Sequence, residues 1–172
     1  MLIRRDVFGL LAFLALCFAV SAIGGAVTAS SVGTWYAGLE KPSFNPPNWI
    51  FAPVWTALYA MMAVAGWRVW RVWRSPELAS GAASKRSALT AFGIQLALNL
   101  AWSCLFFGAR QPGLAFVEVI VFLAAIIWTA LLFRRLDHVA ATLFVPYIAW
   151  VTFAAVLNGF VWYLNRPLPG AM

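Results

Sequence analysis

Charge is scarce in this sequence: only 10% of its residues are Asp, Glu, Lys or Arg, where a soluble domain carries about a quarter. Stretches such as Val119 to Phe133 hold none at all. With 64% of the 172 residues hydrophobic and a mean hydropathy of +0.87, there is too little polar surface to clothe a soluble body, which leaves lipid as the solvent. Histidine is nearly absent. His138 is the only one, beside Asp137 at an expected interfacial turn, and no GxSxG, HExxH or glycine-rich phosphate loop occurs. Neither a triad hydrolase nor an ATPase is written here, and no catalytic residue is assigned. Cysteine is limited to Cys17 and Cys104. Both fall in apolar segments with no CxxC pair or neighbouring histidine, so no metal site is assigned and both read as buried thiols.

What is abundant is apolar sequence in runs long enough to cross a bilayer, which takes about 20 helical residues. Five such runs appear, approximately 7–29, 47–73, 87–107, 113–133 and 139–164. The expectation is an all-α membrane protein, a bundle of five transmembrane helices, with residues 1–172 forming a single membrane domain. The first run follows Arg4 and Arg5 as a secretory signal would, but it continues through Ile23 and Val27, longer than a signal's apolar core requires. Ser21, Gly24, Gly25 and Thr28 read as small residues for close helix packing. Pro146, near the start of the fifth run, is expected to bend or loosen that helix.

The formal net charge of +7 lies between apolar runs rather than on one face of a soluble body. It therefore argues for topology signalling and against nucleic acid as a partner. Nine of the twelve basic residues (Arg4, Arg5, Arg68, Arg71, Arg74, Lys85, Arg86, Arg134 and Arg135) fall on the side shared by the N-terminus and the second and fourth loops. Lys41, Arg110 and Arg166 fall on the other. The positive-inside rule then predicts a multi-pass integral membrane protein with a cytoplasmic N-terminus and with the long first loop and C-terminus outside. The alternating run from Trp67 to Arg74 reads as indole and guanidinium anchors at a helix end in the interface.

Polar groups inside the spans are costly unless they face protein or a cavity. Gln95, Asn99, Trp102, Ser103 and Phe106 recur at helical spacing on the third span, and Tyr147, Trp150, Ala154 and Asn158 on the fifth. Facing each other, the two stripes would enclose a slot for a planar hydrophobic ligand, of which Tyr147 is one expected contact. Glu118, inside the fourth span, is expected to be a protonated or hydrogen-bonded interior group.

Three blocks of sequence also carry a resemblance. The first loop reads Trp35-Tyr36-Ala37-Gly38-Leu39-Glu40-Lys41-Pro42-Ser43-Phe44-Asn45-Pro46-Pro47-Asn48-Trp49, followed by Pro53-Val54-Trp55-Thr56-Ala57-Leu58-Tyr59. The third span reads Gln95-Leu96-Ala97-Leu98-Asn99-Leu100-Ala101-Trp102 and runs into Phe106-Phe107-Gly108-Ala109-Arg110-Gln111; the fifth contains Pro146-Tyr147-Ile148-Ala149-Trp150 and Leu157-Asn158. Over nearly the whole chain this resembles the translocator protein family, also called tryptophan-rich sensory proteins or peripheral-type benzodiazepine receptors. The resemblance implies a five-helix bundle, commonly a homodimer, that binds porphyrins, sterols and synthetic aromatic drugs in a pocket closed by the first loop. Carried over by position, ligand contacts fall on Trp55, Asn99, Trp102, Trp150 and Ala154, and the lid residues are Trp35 and Lys41. Gly159 stands where animal members carry a tyrosine after Leu157-Asn158, which favours porphyrin (protoporphyrin IX or haem) over sterol as the ligand. Phe44 replaces a common tryptophan, keeping the aromatic surface without the N–H donor. The expected function is a membrane receptor or sensor that regulates tetrapyrrole or stress responses and requires no cofactor. The alternatives are a transporter of porphyrin or sterol-like lipids and a light- or oxidant-dependent porphyrin-degrading enzyme.

Overall fold

The computed structural model describes residues 2–73 and 82–166. Its helices are α1 (Leu2–Val32), α2 (Phe51–Trp73), α3 (Ala82–Ser103), α4 (Pro112–Arg134), α5 (His138–Thr142) and α6 (Val145–Asn165), and no strand occurs among the described residues. Five helical segments are long and apolar enough to cross a membrane, the last being α5 and α6 together. Arg74 and the rest of residues 74–81, where the second loop was expected, lie outside the described residues.

The helix limits follow local chemistry rather than hydropathy alone. At about 1.5 Å per residue, the 31-residue α1 is roughly 46 Å long and exceeds a hydrocarbon core of about 30 Å. Hydropathy marks the part at hydrocarbon depth, so the polar first turn with Arg4, Arg5 and Asp6 was missed. The third span does not end as an ordinary α-helix. Cys104–Gly108 form a π turn, in which Ala109 N–H reaches Cys104 C=O at 2.7 Å. The extra residue per turn brings both Phe106 and Phe107 into the core. Arg110 then takes a left-handed conformation (φ 56°), and Pro112, which needs no N–H partner in a first turn, starts α4. The fifth span breaks between α5 and α6 because Pro146 has no N–H to continue the ladder from Thr142; the spacing around Pro146 anticipated this loosening.

At one end of the bundle the N-terminal turn of α1, the C-terminal turns of α2 and the α4–α5 corner are tied together. Trp67 Nε1 donates to Asp6 C=O at 2.9 Å, and Arg68 forks onto the Asp137 carboxylate at 2.9 and 3.2 Å. Arg71 pairs with Asp6 at 3.4 Å and stacks over the Trp67 ring. The Trp–Arg run thus staples three helices together, beyond the interfacial anchoring expected of it. Asp137 also caps α5 by accepting from Ala140 N–H at 3.0 Å. Burial would raise its carboxyl, but the Ala140 amide and the Arg68 guanidinium outweigh burial and hold it below the usual carboxylate range. Glycine permits the close approach of α1 and α2 here. A Cβ on Gly9 would stand 2.3 Å from the Trp70 ring, and one on Gly66 would stand 2.8 Å from the Phe13 ring.

One expectation for an interior group is corrected and another is narrowed. Cys17 is buried, but Cys104 is exposed on the outer side of the π turn, because the change of pitch there rotates it outward. Glu118 has both carboxylate oxygens buried and finds no hydrogen-bond partner in the protein, so of its two expected forms the hydrogen-bonded one is absent.

Candidate ligand cavity

Toward the other end of the bundle α2, α3 and α6 do not meet tightly. Their facing stripes are held apart by two chains of polar side chains. In the deeper chain the Tyr59 hydroxyl donates to Asn99 Oδ1, Asn99 Nδ2 donates to the Tyr147 hydroxyl at 3.0 Å, and that hydroxyl donates to Gln95 Oε1 at 3.0 Å. Gln95 Nε2 ends the chain on Met62 Sδ at 3.8 Å. In the outer chain Trp102 Nε1 donates to Asn158 Oδ1 at 3.0 Å, and Asn158 Nδ2 donates to the Pro112 carbonyl at 2.8 Å. Each amide thus joins two or three helices, which satisfies groups that lipid could not.

Between and above these chains lies a cavity of about 420 Å³, inside the range of small-molecule sites. α2 contributes Phe51, Trp55, Thr56 and Tyr59; α3 and its π turn contribute Asn99, Trp102, Ser103, Phe106 and Phe107; α6 contributes Trp150, Ala154, Leu157 and Asn158. The rings brace one another: Trp102 stacks on Phe106 (centroids 5.3 Å apart, 22° between planes), and Phe51 stands edge-on to Trp150 at 5.7 Å. Among the described residues no Asp, Glu, Lys, Arg or His lines the cavity. Trp150 Nε1 is buried and has no acceptor among the described residues.

Of the residues expected from sequence, Trp55, Asn99, Trp102, Trp150 and Ala154 all border this one space. Tyr147 does not. It is fully buried beneath the floor, where its hydroxyl orders Asn99 and Gln95. The lid residues also stand back from the cavity. Trp35 packs edge-on against Phe106 at 5.7 Å. Lys41 Nζ turns into its own loop, donating to Leu39 C=O at 2.9 Å and Ala37 C=O at 3.3 Å, and sits 4.8 Å over the Tyr36 ring. Asn48 near the end of the loop and Tyr36 reach the cavity. Burial raises the Tyr36 phenol above the ordinary value, so the ring is neutral beneath the ammonium.

The first loop is fastened at several points. The Asn165 side-chain amide pairs with both the N–H and the C=O of Glu40, at 3.0 and 2.9 Å. The Phe44 ring stands against Phe160 and Phe153, with centroids 5.3 and 6.3 Å apart. The Tyr36 hydroxyl donates to Asn45 Oδ1 at 3.1 Å. Sequence reasoning missed Tyr36, Phe51 and Tyr59, although Phe51, Trp55 and Tyr59 recur every four residues on one helical face. The α1 wall is made of Ser21, Gly24, Gly25, Thr28, Ala29 and Val32; sequence reasoning picked out four of these as small residues but read them as close helix packing, because small size alone does not say whether a partner faces it.

Comparison with known proteins agrees with this architecture. The TspO/MBR family model matches residues 13–164. The chain is 37% identical to the tryptophan-rich protein TspO of Chlorobaculum tepidum over 163 residues, covering 94% of this chain and 99% of the relative. It is 37% identical to the tryptophan-rich sensory protein of Cereibacter sphaeroides over 94% of both chains. It is 41% identical to the translocator protein of Sus scrofa over 132 residues, 77% of this chain and 75% of the relative. This multi-pass integral membrane protein belongs to the TspO/MBR family.

Proposed function

We propose that the protein is a membrane sensor that binds a planar hydrophobic ligand, free porphyrin before others, in the cavity between α2, α3 and α6, and that ligand occupancy regulates a tetrapyrrole or stress response. The observation that carries this reading is a charge-free slot walled by Trp55, Trp102, Phe106 and Trp150 and floored by a satisfied amide network. A flat macrocycle gains about 25 cal/mol for each Å² of apolar face it buries there. Among the described residues no His or Cys lines the cavity to bind an iron axially, so the metal-free ring suits it better than haem. The gathering of basic residues at the stapled end supports a cytoplasmic N-terminus, with the cavity toward the opposite face.

The test is titration of purified protein with protoporphyrin, read by quenching of tryptophan fluorescence. Trp150→Ala is expected to weaken binding by about tenfold or more, the effect of losing an aromatic anchor. Trp128→Ala, which removes an indole from the exposed face of α4, is expected to change nothing. Equal affinity in all three proteins would remove the cavity from the account. An unchanged porphyrin spectrum on binding is the sensor's signature, and a new product spectrum would move the reading to a degrading enzyme.

A further inference from the structure

The cavity has two faces through which a ligand could reach it, and they differ. On the loop side it is shut: Tyr36 is 6% exposed, and the loop above it is held by the paired Asn165–Glu40 bonds and by Phe44 against α6. On the side between α1 and α2 it is not. The two helices approach closely near Gly9 and Gly66, whereas farther along Gly25 and Ala29 of α1 and Ala52 and Thr56 of α2 line the cavity and are exposed. A Cβ built on Gly25 meets nothing within 4 Å. One helical position away, a Cβ on Gly24 would meet Ser103 Oγ at 3.3 Å, so the two glycines serve different ends. Gly24 lets α1 pack on α3, and Gly25 leaves a gap.

The gap is also fitted to lipid. Two of its hydroxyl residues turn back on their own helices, Thr28 Oγ1 to Gly24 C=O and Thr56 Oγ1 to Ala52 C=O, each at 2.8 Å. Neither hydroxyl therefore needs water, and the rim carries no charge.

We infer that the gap between α1 and α2 is a lateral mouth, through which a hydrophobic planar ligand dissolved in the bilayer enters and leaves the cavity without opening the first loop. This rests on the ligand reading above. It adds that the protein samples the membrane-dissolved pool rather than the aqueous one, which suits a ligand that partitions into lipid in proportion to its apolar area.

The test uses the full chain in lipid vesicles carrying protoporphyrin, with binding followed by stopped-flow tryptophan quenching. A side chain standing in the mouth, as in Gly25→Leu, is expected to slow association and dissociation together by about tenfold or more, because it obstructs passage in both directions. Thr56→Phe, from the opposing helix, is expected to do the same and reports independently if the Gly25 variant folds poorly. Asn165→Ala, which frees the Glu40 backbone and unlatches the loop, is expected to leave both rates within about twofold. Wild-type rates in both mouth variants, or faster binding in Asn165→Ala, would overturn the lateral route while leaving the cavity as the binding site. Failure of the wild type to bind porphyrin would overturn the ligand reading and the route with it.

Discussion

The two ends of the α1–α2 pair are built from the same residue types and do opposite things. At the stapled end Gly9 and Gly66 remove side chains so that the Trp70 and Phe13 rings can fill the space. Asp6, Arg68, Arg71 and Asp137 then lock that approach with ion pairs. At the cavity end Gly25, Ala29 and Ala52 keep side chains small, and a Cβ on Gly25 would meet nothing within 4 Å. Small residues in a membrane helix therefore signify close packing only when a large partner faces them. Without one, they are the wall of a void.

The sharpest way to break this comparison is to add one methyl group at each end. Gly66→Ala places a Cβ 2.8 Å from the Phe13 ring and 3.1 Å from Phe92, and is expected to destabilise the protein by about 1–3 kcal/mol, the range for overpacking a core. Gly25→Ala meets open space and is expected to stabilise α1 by about 0.5–1 kcal/mol through helix propensity alone. Thermal unfolding in detergent reads both, and equal effects would dissolve the distinction between the ends.

Next in size is the staple itself. Asp137→Ala removes the α5 cap and the fork from Arg68, and is expected to cost about 1–2 kcal/mol. Because the folded carboxyl titrates below its unfolded value, its contribution is fully present above about pH 4 and is lost as pH falls through the folded pKa. Asp137→Asn should therefore flatten the acid side of the wild-type stability profile. A steeper acid loss in the variant than in the wild type would contradict the direction of the shift.

A smaller effect is expected beneath the cavity. Tyr147→Phe leaves Asn99 Nδ2 and Gln95 Oε1 without their partner, at about 1 kcal/mol. Because Tyr147 lies under the floor rather than in the wall, ligand affinity should change far less than in Trp150→Ala. The smallest effect is expected from Lys41→Ala, since its ammonium serves the loop's own carbonyls. Stability and porphyrin affinity should both stay within about 0.5 kcal/mol of wild type.

The helical class, the five spanning segments and the loosening at Pro146 were legible because each rests on a local rule: length against bilayer thickness, or a missing N–H. The stripes on α3 and α6 were legible because amides and indoles stand out against lipid-facing sequence, and their periodicity placed Asn99, Trp102, Trp150 and Ala154 together. What escaped depends on neighbours distant in sequence. Tyr147 has the spacing of a wall residue, but its depth is set by where Asn99 and Gln95 on another helix draw its hydroxyl. Lys41 was expected in the lid, but the loop's fold brings the Ala37 and Leu39 carbonyls within its reach. The π turn that buries both Phe106 and Phe107 and exposes Cys104 interrupts the helical period on which any pattern reading relies. Gly24 and Gly25 are indistinguishable in sequence, and only the position of α3 separates them.

The account stands on the cavity being the ligand site, and filling it is the most direct test. Ala154 borders the space among Trp150, Leu157 and Asn158, so Ala154→Phe places a ring where the ligand should lie. Protoporphyrin titration of the folded variant is expected to show affinity lowered by at least about tenfold, with thermal stability kept within about 1 kcal/mol of wild type. Wild-type affinity in Ala154→Phe, with the cavity filled, would contradict the account.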